Sequence, residues 1–275
     1  MCGYSTHTRF LDYKRFREAA DRNNSYLMSD MSHIAGLVAA DIPFSNPFDY
    51  ADIITTTVHK TLRGPRGALI FFKRKIPIDE HLEEKMKKAF YPGNLESSHY
   101  NNLAAIATCL REAQSADFKL YQKQVIKNSI ALSDTLKSLK FQLMTGGSEN
   151  HMQLMSLKNK GVLGDEMRYI MGLGNVFLNF STVKANSHTD RPHALRMGTP
   201  AMTTRGCNEN DFVKIGHLIN KFVKIGKDIS QKNESLEDFK KRLTDSKHME
   251  DIDKLKNNVE KFLSKFEKQY SIYTH

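Results

Sequence analysis

The sequence has few of the features that mark secreted or membrane proteins. Its three cysteines, at positions 2, 109 and 207, form no CxxC pair. An odd number of cysteines offers no disulfide framework, which indicates a reducing compartment. No apolar run approaches the roughly 20 residues of a membrane helix. Residues 1–5 lack the charged and apolar regions of a secretory signal. We therefore expect no membrane partner.

The chain is basic without the pattern of a nucleic-acid binder. Its formal charge is +10, but lysines alternate with acidic residues, as at 83–85 and 238–241. No basic motif interleaved with aromatic residues is present, so we predict no nucleic-acid partner. No metal site is predicted either. With 275 residues, 40% of them hydrophobic, the chain is long enough for one large domain or two ordinary ones.

The first hundred residues alternate between helical and strand patterns. Residues 11–23 are predicted to be helical, with Asp12 as N-cap, and short strands are predicted at 26–28, 52–57 and 68–72. Short apolar strands separated by helical stretches favour an α/β fold with a parallel-type sheet. Because the pattern starts within an element, we expect the chain to be a fragment of a longer protein, or a truncated one.

The pattern changes in the second part of the chain. One long helix is predicted at 117–140, followed by strands near 151–157, 176–180 and 194–197. Two further helices are predicted at 210–229 and 251–268. We therefore predict two domains, residues 1–108 and residues 109–275, of which the second is a small α+β domain.

Three charged residues stand in or directly after predicted strands. Asp30 lies where a carboxylate can pair with a protonated pyridine, although an Asp there is more often a helix N-cap. Lys60 is placed for imine chemistry if it is desolvated, although a surface lysine is the commoner outcome. Arg196 needs a partner, which is either a substrate carboxylate or an internal Asp or Glu.

Residues 26–67 carry a more specific signal: YLMSDMSHIAGLVAADIPFSNPFDYADIITTTVHKTLRGPRG. This stretch strongly resembles the serine hydroxymethyltransferase family, which has DMxHIxGLVA and TTTTHKTLRGPR at nearly the same separation. LRMGTPAMTTRG, at 195–206, resembles the family's IRxGTPAxTxRG. The resemblance extends from Cys2 onwards and weakens in the last seventy residues or so. It implies the aminotransferase-like fold (fold type I) of pyridoxal-phosphate enzymes, with residues 1–108 forming part of the large domain.

The resemblance also implies roles for individual residues. Lys60 would hold pyridoxal 5'-phosphate as an imine, and Asp30 would keep the pyridine nitrogen protonated, which makes the ring an electron sink. His33 would lie near the ring hydroxyl, and Cys2 stands where the family usually has a serine. Thr57 and His59 would flank the lysine, Arg66 would support the site, and Arg196 would bind the substrate carboxylate.

The implied activity is transfer of a one-carbon unit from serine to tetrahydrofolate, which leaves glycine. Serine or glycine and folate would be the small-molecule partners, and a homo-oligomer, either dimer or tetramer, is implied for the complete protein. The compartment would be the cytoplasm, with the mitochondrion as the alternative.

Four departures from the family keep alternatives open. The N-terminal half is absent, with its catalytic glutamate and phosphate loop. Glu96 and Ser97 stand in place of two glycines of FPxxQGGPH. Where the family has SGIR, this chain has His193-Ala194-Leu195-Arg196, and where the family has NKNS, it has Asn179-Phe180-Ser181-Thr182. A non-catalytic or truncated homologue, or a folate-independent aldolase of β-hydroxy amino acids, would also fit these changes.

Overall fold

A computed structural model describes residues 1–95, 97–181, 191–231, 234–244 and 247–266. Their contacts group them into two compact units. The first unit contains Met1–Ser5 and Phe10–Lys123, and the second contains Thr6–Arg9 and the described residues from Gln124 onwards. The domain limits 1–108 and 109–275 stay a prediction.

The first unit is an α/β structure. Its elements are β1 (Cys2–Gly3), α1 (Tyr13–Arg22), β2 (Met28–Asp30), α2 (Ala35–Ala39), β3 (Ile53–Thr57), β4 (Ala68–Phe72), α3 (Leu82–Phe90), α4 (Tyr100–Ala113) and the start of α5 (Ala116–Ser138). Helix α1 begins two residues later than the predicted range 11–23, and Asp12 is its N-cap as predicted. The Asp12 side chain accepts a hydrogen bond from the Arg15 amide at 3.1 Å and so caps a free N–H group.

The sheet of the first unit has the order β1-β2-β3-β4. The β1–β2 and β2–β3 pairs are parallel, as predicted, whereas β3 and β4 are antiparallel. Only residues 58–67 join β3 to β4. A parallel crossover needs about a dozen residues or more, so the chain turns back beside the strand it has just left.

The alternation of side chains along β3 defines two faces of this sheet. Ile54 and Thr56 are buried, while Thr55 and Thr57 are half-buried. Asp30 is the register partner of Thr55. Since register partners point to the same face of a sheet, Asp30, Thr55 and Thr57 share the half-buried face. The polar residues at the ends of β2 and β3 are thereby brought together.

The second unit is built around an antiparallel sheet. Its elements, after the rest of α5, are β5 (Gln142–Leu143), β6 (Met152–Ser156), α6 (Gly164–Leu173), β7 (Asn179–Ser181), β8 (Ala194–Gly198), α7 (Pro200–Thr204), α8 (Glu209–Ile229), α9 (Leu236–Thr244) and α10 (His248–Ser264). The strand order is β5-β6-β8-β7. Short 3₁₀ turns lie at Met144–Gly146 and Lys158–Lys160.

The main hydrophobic core of the second unit lies between this sheet and its helices. Met155, Leu195, Phe212 and Phe222 are each at most 2% exposed there. The strand predicted at 176–180 begins only at Asn179, and the predicted end of the last helix, at 268, falls outside the described residues. In the part of the chain that the structure describes, no helix is both long enough and apolar enough to cross a membrane.

Candidate active site

Asp30 ends strand β2 with its carboxylate held from two sides. The Thr55 hydroxyl donates a hydrogen bond to one carboxylate oxygen at 2.7 Å, and the Ser32 amide donates to the other at 3.0 Å. Burial alone would raise the pKa of Asp30, but the bonds from Thr55 and Ser32 lower it more. The charge of Lys60 lowers this pKa further, so the carboxylate is ionised at neutral pH.

Lys60 lies in the tight connection that follows β3. Val58, which is fully buried, donates its amide to the Gly67 carbonyl at 3.0 Å and accepts the Gly64 amide at 3.0 Å. The Arg63 amide donates to the Lys60 carbonyl at 2.9 Å. These bonds fold the Lys60 loop, residues 58–67, back on itself, and the Lys60 side chain is half-buried.

Two serine and threonine side chains tie the Lys60 loop to the turn after β2. The Thr57 amide donates to the Ser32 hydroxyl at 2.9 Å. The Thr61 hydroxyl donates to the His33 carbonyl at 2.9 Å and accepts from the Gly36 amide at 2.9 Å. Hydrogen bonds through the hydroxyls of Ser32 and Thr61 therefore hold the loop that carries Lys60 against the turn that carries His33.

Gln122 supports this arrangement from helix α5. Its side-chain amide donates to the Thr61 carbonyl at 2.8 Å, and the residue is fully buried. Sequence reasoning missed both Thr61 and Gln122. The signal available for Thr61 was a hydroxyl beside the candidate lysine, but 61 positions separate it from Gln122, and no local pattern marks such a distant pair.

Two glycines allow the close packing around the loop. A Cβ atom on Gly36 would lie 2.2 Å from the Thr61 carbonyl oxygen, and one on Gly64 would lie 2.4 Å from a methyl group of Val58 and 2.7 Å from the sulfur of Cys109. All three distances are far below van der Waals contact. Steric crowding thus explains why glycine stands at position 36 in HIAGLVA and at position 64 in TLRGPRG.

The remaining predicted residues of the first unit lie in different settings. His33 is half-buried in the turn after β2, whereas His59 and Arg66 are exposed. The hydroxyl of Thr57 is buried, with no hydrogen-bond partner among the described residues. Cys2 is the register partner of Ser29 and not of Asp30. Its side chain is therefore on the sheet face opposite Asp30.

Arg196 lies on β8 in the second unit. Its register partners are Leu154 on β6 and Asn179 on β7, and its side chain is half-buried. The neighbours Leu195 and Met197 point into the core on the opposite face. Strand alternation thus keeps the guanidinium of Arg196 out of the hydrophobic core.

The structure describes only part of the two stretches in which this chain lacks the family's paired glycines and its folate contact. Residues 91–95 form an exposed turn, and Ser97 is exposed. Asn179, Phe180 and Ser181 form β7. Glu96 and Thr182 lie outside the described residues.

Comparison with known proteins agrees with these motifs. The sequence profile of the serine hydroxymethyltransferase family matches residues 1–219. The chain belongs to this family. The serine hydroxymethyltransferase family uses pyridoxal phosphate and tetrahydrofolate and has the fold type I predicted from the sequence. The α/β sheet of the first unit and the separate sheet of the second agree with that fold.

Curated serine hydroxymethyltransferases are similar over most of this chain. The Caenorhabditis elegans protein is 40% identical over 277 residues, which cover 97% of this chain and 54% of the relative. "Serine hydroxymethyltransferase, cytosolic" of Saccharomyces cerevisiae is 42% identical over 84% of this chain and 51% of its own length. "Serine hydroxymethyltransferase 3, chloroplastic" of Arabidopsis thaliana is 41% identical over 97% and 51%. The chain spans about half the length of the curated relatives it matches.

Proposed function

We propose that this chain supplies the lysine-bearing part of a serine hydroxymethyltransferase, which interconverts serine and glycine and transfers a one-carbon unit to tetrahydrofolate. The observation that carries the proposal is the placement of Asp30 and Lys60 at the same end of neighbouring strands. Asp30 is the last residue of β2, Lys60 follows the parallel neighbour β3, and the charge of Lys60 acts on the Asp30 carboxylate. Ligands of open α/β sheets bind at this end of the strands.

The residues present fit pyridoxal phosphate at three points. An ionised, half-buried carboxylate is the group that a protonated pyridine nitrogen requires, and Asp30 supplies it. The buried hydroxyl of Thr57, which lacks a hydrogen-bond partner in the described part of the chain, offers a further polar contact on the same sheet face. Lys60 supplies the amine that binds an aldehyde. When bound, the cofactor acts as an electron sink for the breaking bond.

The carboxylate of Asp30 has a positioning and an electrostatic task. Thr55 and Ser32 fix both of its oxygens, so it can hold a proton on a pyridine nitrogen without reorganising. Lys60 would bind the cofactor's aldehyde carbon, and the bonds at Thr61 would keep the loop that carries it in place. These bonds fix the backbone from which the long, flexible Lys60 side chain extends.

The other predicted residues keep their roles as proposals. His33 and Cys2 are proposed to act near the ring hydroxyl. The Cys2 side chain faces away from Asp30, so for Cys2 this role requires that the cofactor ring reach past the edge of strand β1. Thr57 and His59 are proposed to flank the lysine, and Arg66 to support the site.

Arg196 is proposed to bind the carboxylate of the amino-acid substrate, as a planar guanidinium does bidentately. Tetrahydrofolate is the proposed co-substrate, and a homodimer or homotetramer is the proposed state of the complete protein. We propose the cytoplasm as its compartment, with the mitochondrion as the alternative. Support for the cytoplasm comes from relatives named cytosolic, such as those of two yeasts.

A visible absorption spectrum of the purified chain with added pyridoxal phosphate tests the role of Lys60. We expect a band from lysine-bound cofactor in wild type and its loss in Lys60→Ala. Lys88→Ala is the matched control, because Lys88 is an exposed lysine on α3 that reacts only as surface lysines do. Equal bands in all three proteins would remove Lys60 from the proposal.

The same assay separates an incomplete enzyme from a homologue that has lost its chemistry. If wild type shows no band, the experiment is repeated on a chain extended at its N-terminus. A band in the extended chain supports the transferase, whereas its absence favours the non-catalytic homologue. Cleavage of serine with and without tetrahydrofolate then distinguishes the transferase from the folate-independent aldolase.

Substitution of Arg196 tests the substrate contact. We expect Arg196→Ala to raise the KM for the amino acid by about 10²-fold, since a bidentate carboxylate contact is worth about 2–3 kcal/mol. Retention of the cofactor should change little. Loss of cofactor and substrate binding to the same degree would contradict the assignment.

A further inference from the structure

A cavity lies within the second unit, where the connection from β6 to α6 meets the end of α8. Its volume is about 570 Å³, which is within the range of small-molecule sites. None of the residues proposed above to bind cofactor or substrate lines it. The cationic side chains in its wall come from Lys158, Lys160, Arg191 and Lys227.

Some of the charges around this cavity already cancel within the protein. Glu234, a carboxylate in the wall, is paired with Arg242. Arg191 is bonded through two of its nitrogens to Asp165 at 2.9 Å. These groups are therefore satisfied, and the net charge facing the cavity comes from the lysines.

The lysines differ from the arginine in their contacts. Among the residues that the structure describes, Lys158 and Lys227 form no ion pair with a carboxylate. Lys160 donates to the Leu139 carbonyl at 3.0 Å, and its ammonium group lies 4.4 Å from the centre of the Phe141 ring. The Lys160 ammonium is thus held in place, while the two others remain available to a ligand.

The lysines also act on one another. Burial lowers the pKa of Lys160, and the charges of Lys227 and Lys224 lower it further. Like charges that converge on one cavity repel each other, and an anion bound between them removes that cost. The wall also holds the neutral side-chain amide of Gln231, which can donate hydrogen bonds to the same ligand, whereas the Ser230 hydroxyl already donates to Glu166.

We propose that this cavity binds a small multivalent oxyanion through Lys158, Lys160 and Lys227. A polyphosphate and a tricarboxylate share the required chemistry, because both present several anionic oxygens to ammonium donors. The proposal is independent of the transferase chemistry, since it uses no residue of the candidate active site.

Calorimetric titration of the full chain with tripolyphosphate, and separately with citrate, tests the proposal. We expect saturable binding of at least one of them and a loss of affinity of about tenfold or more in Lys158→Gln/Lys227→Gln, since two charge-assisted contacts disappear. The control is Lys137→Gln/Lys254→Gln. It removes the same charge at exposed lysines that pair with Asp134 and Asp251.

A second readout is the amide resonance of Gly161, which lies in the cavity wall and should shift on titration in wild type but not in the cavity variant. Stronger binding of one probe assigns the ligand to the phosphate or the carboxylate class. Equal weakening in both double variants would show a general effect of net charge and overturn the proposal. Absence of binding by wild type to both probes would overturn it as well.

Discussion

Replacement of Thr61 by valine measures how strongly the Lys60 loop is fastened. Valine keeps the shape of threonine but can neither donate to the His33 carbonyl nor accept the Gly36 amide, both at 2.9 Å. Thr61 is 3% exposed, so water does not replace these bonds. Two lost hydrogen bonds cost about 2 kcal/mol, and a buried amide left unpaired adds about 1–2 kcal/mol. We expect Thr61→Val to lower the free energy of unfolding by about 3–4 kcal/mol.

Urea unfolding followed by circular dichroism measures this loss. With a slope of about 2–3 kcal/mol per molar urea, the midpoint should fall by about 1–2 M. Hydrogen exchange of peptides covering residues 33–37 and 58–64 locates the effect, because the chain has two units that can unfold separately. Exchange should quicken in both peptides, since one hydroxyl serves both segments.

Two further variants make the result decisive. Thr108→Val removes an exposed hydroxyl that donates within its own helix, to the Ala104 carbonyl at 3.0 Å, and should cost less than about 0.5 kcal/mol. Thr61→Ser keeps the hydroxyl and should recover more than half of the loss. If Thr61→Val is as stable as Thr108→Val, or if Thr61→Ser is as unstable as Thr61→Val, the hydroxyl does not fasten the loop.

Three other predictions follow from particular contacts. Gly36→Ala should lower the free energy of unfolding by about 1–3 kcal/mol through overpacking. Gly172→Ala, whose added Cβ meets nothing within 4 Å, should raise it by up to about 1 kcal/mol through helix propensity. Urea unfolding that shows Gly36→Ala to be stabilised, or Gly172→Ala to be destabilised, would contradict this. Lys85 and then Tyr26 lower the pKa of Asp79 to about 2, below its unfolded value of about 3.9. The stability that Asp79 contributes is therefore complete above about pH 4 and lost towards pH 2. Asp79→Asn should make the free energy of unfolding depend less on pH across that range. The same pH dependence in wild type and variant would contradict this. Burial raises the pKa of all three cysteine thiols, that of Cys207 to about 11, so a colorimetric thiol reagent should react slowly with native protein and rapidly in urea.

The sequence predicts well what short-range patterns encode. A β-branched run before Lys60 and an apolar run before Asp30 are enough to place both residues near strand ends. The structure has Lys60 three residues beyond β3, and Asp30 as the last residue of β2, which lies two residues later than the strand predicted at 26–28. The direction of β4 follows from the length of residues 58–67, a cue that could have been used. The helix α1 and its Asp12 cap also depend on neighbouring residues alone.

Other features depend on contacts between distant residues. The face on which Cys2 lies is decided by its register with Ser29, and a shift of one residue would have reversed it. The contact of Gln122 with Thr61 joins a helix to a loop, and neither residue has a local pattern that reveals the other. A family resemblance assigns such residues a role by position, but their hydrogen bonds and burial come from the fold.

The missing side chain at Gly36 restricts how this region can change by mutation. The Thr61 carbonyl and the Gln122 amide occupy the space that a larger residue at position 36 would need, at 2.2 and 2.6 Å. Substitutions at these three positions are therefore expected to be strongly non-additive. Because the Thr61 carbonyl belongs to the main chain, no side chain at position 61 can make room at position 36, and a smaller residue at position 122 removes only the second obstacle. In a library that randomises all three, accepted variants should therefore keep glycine at position 36. Residue 36 would thus stay glycine while its neighbours change, because the obstacle beside it is main chain, which substitution does not remove.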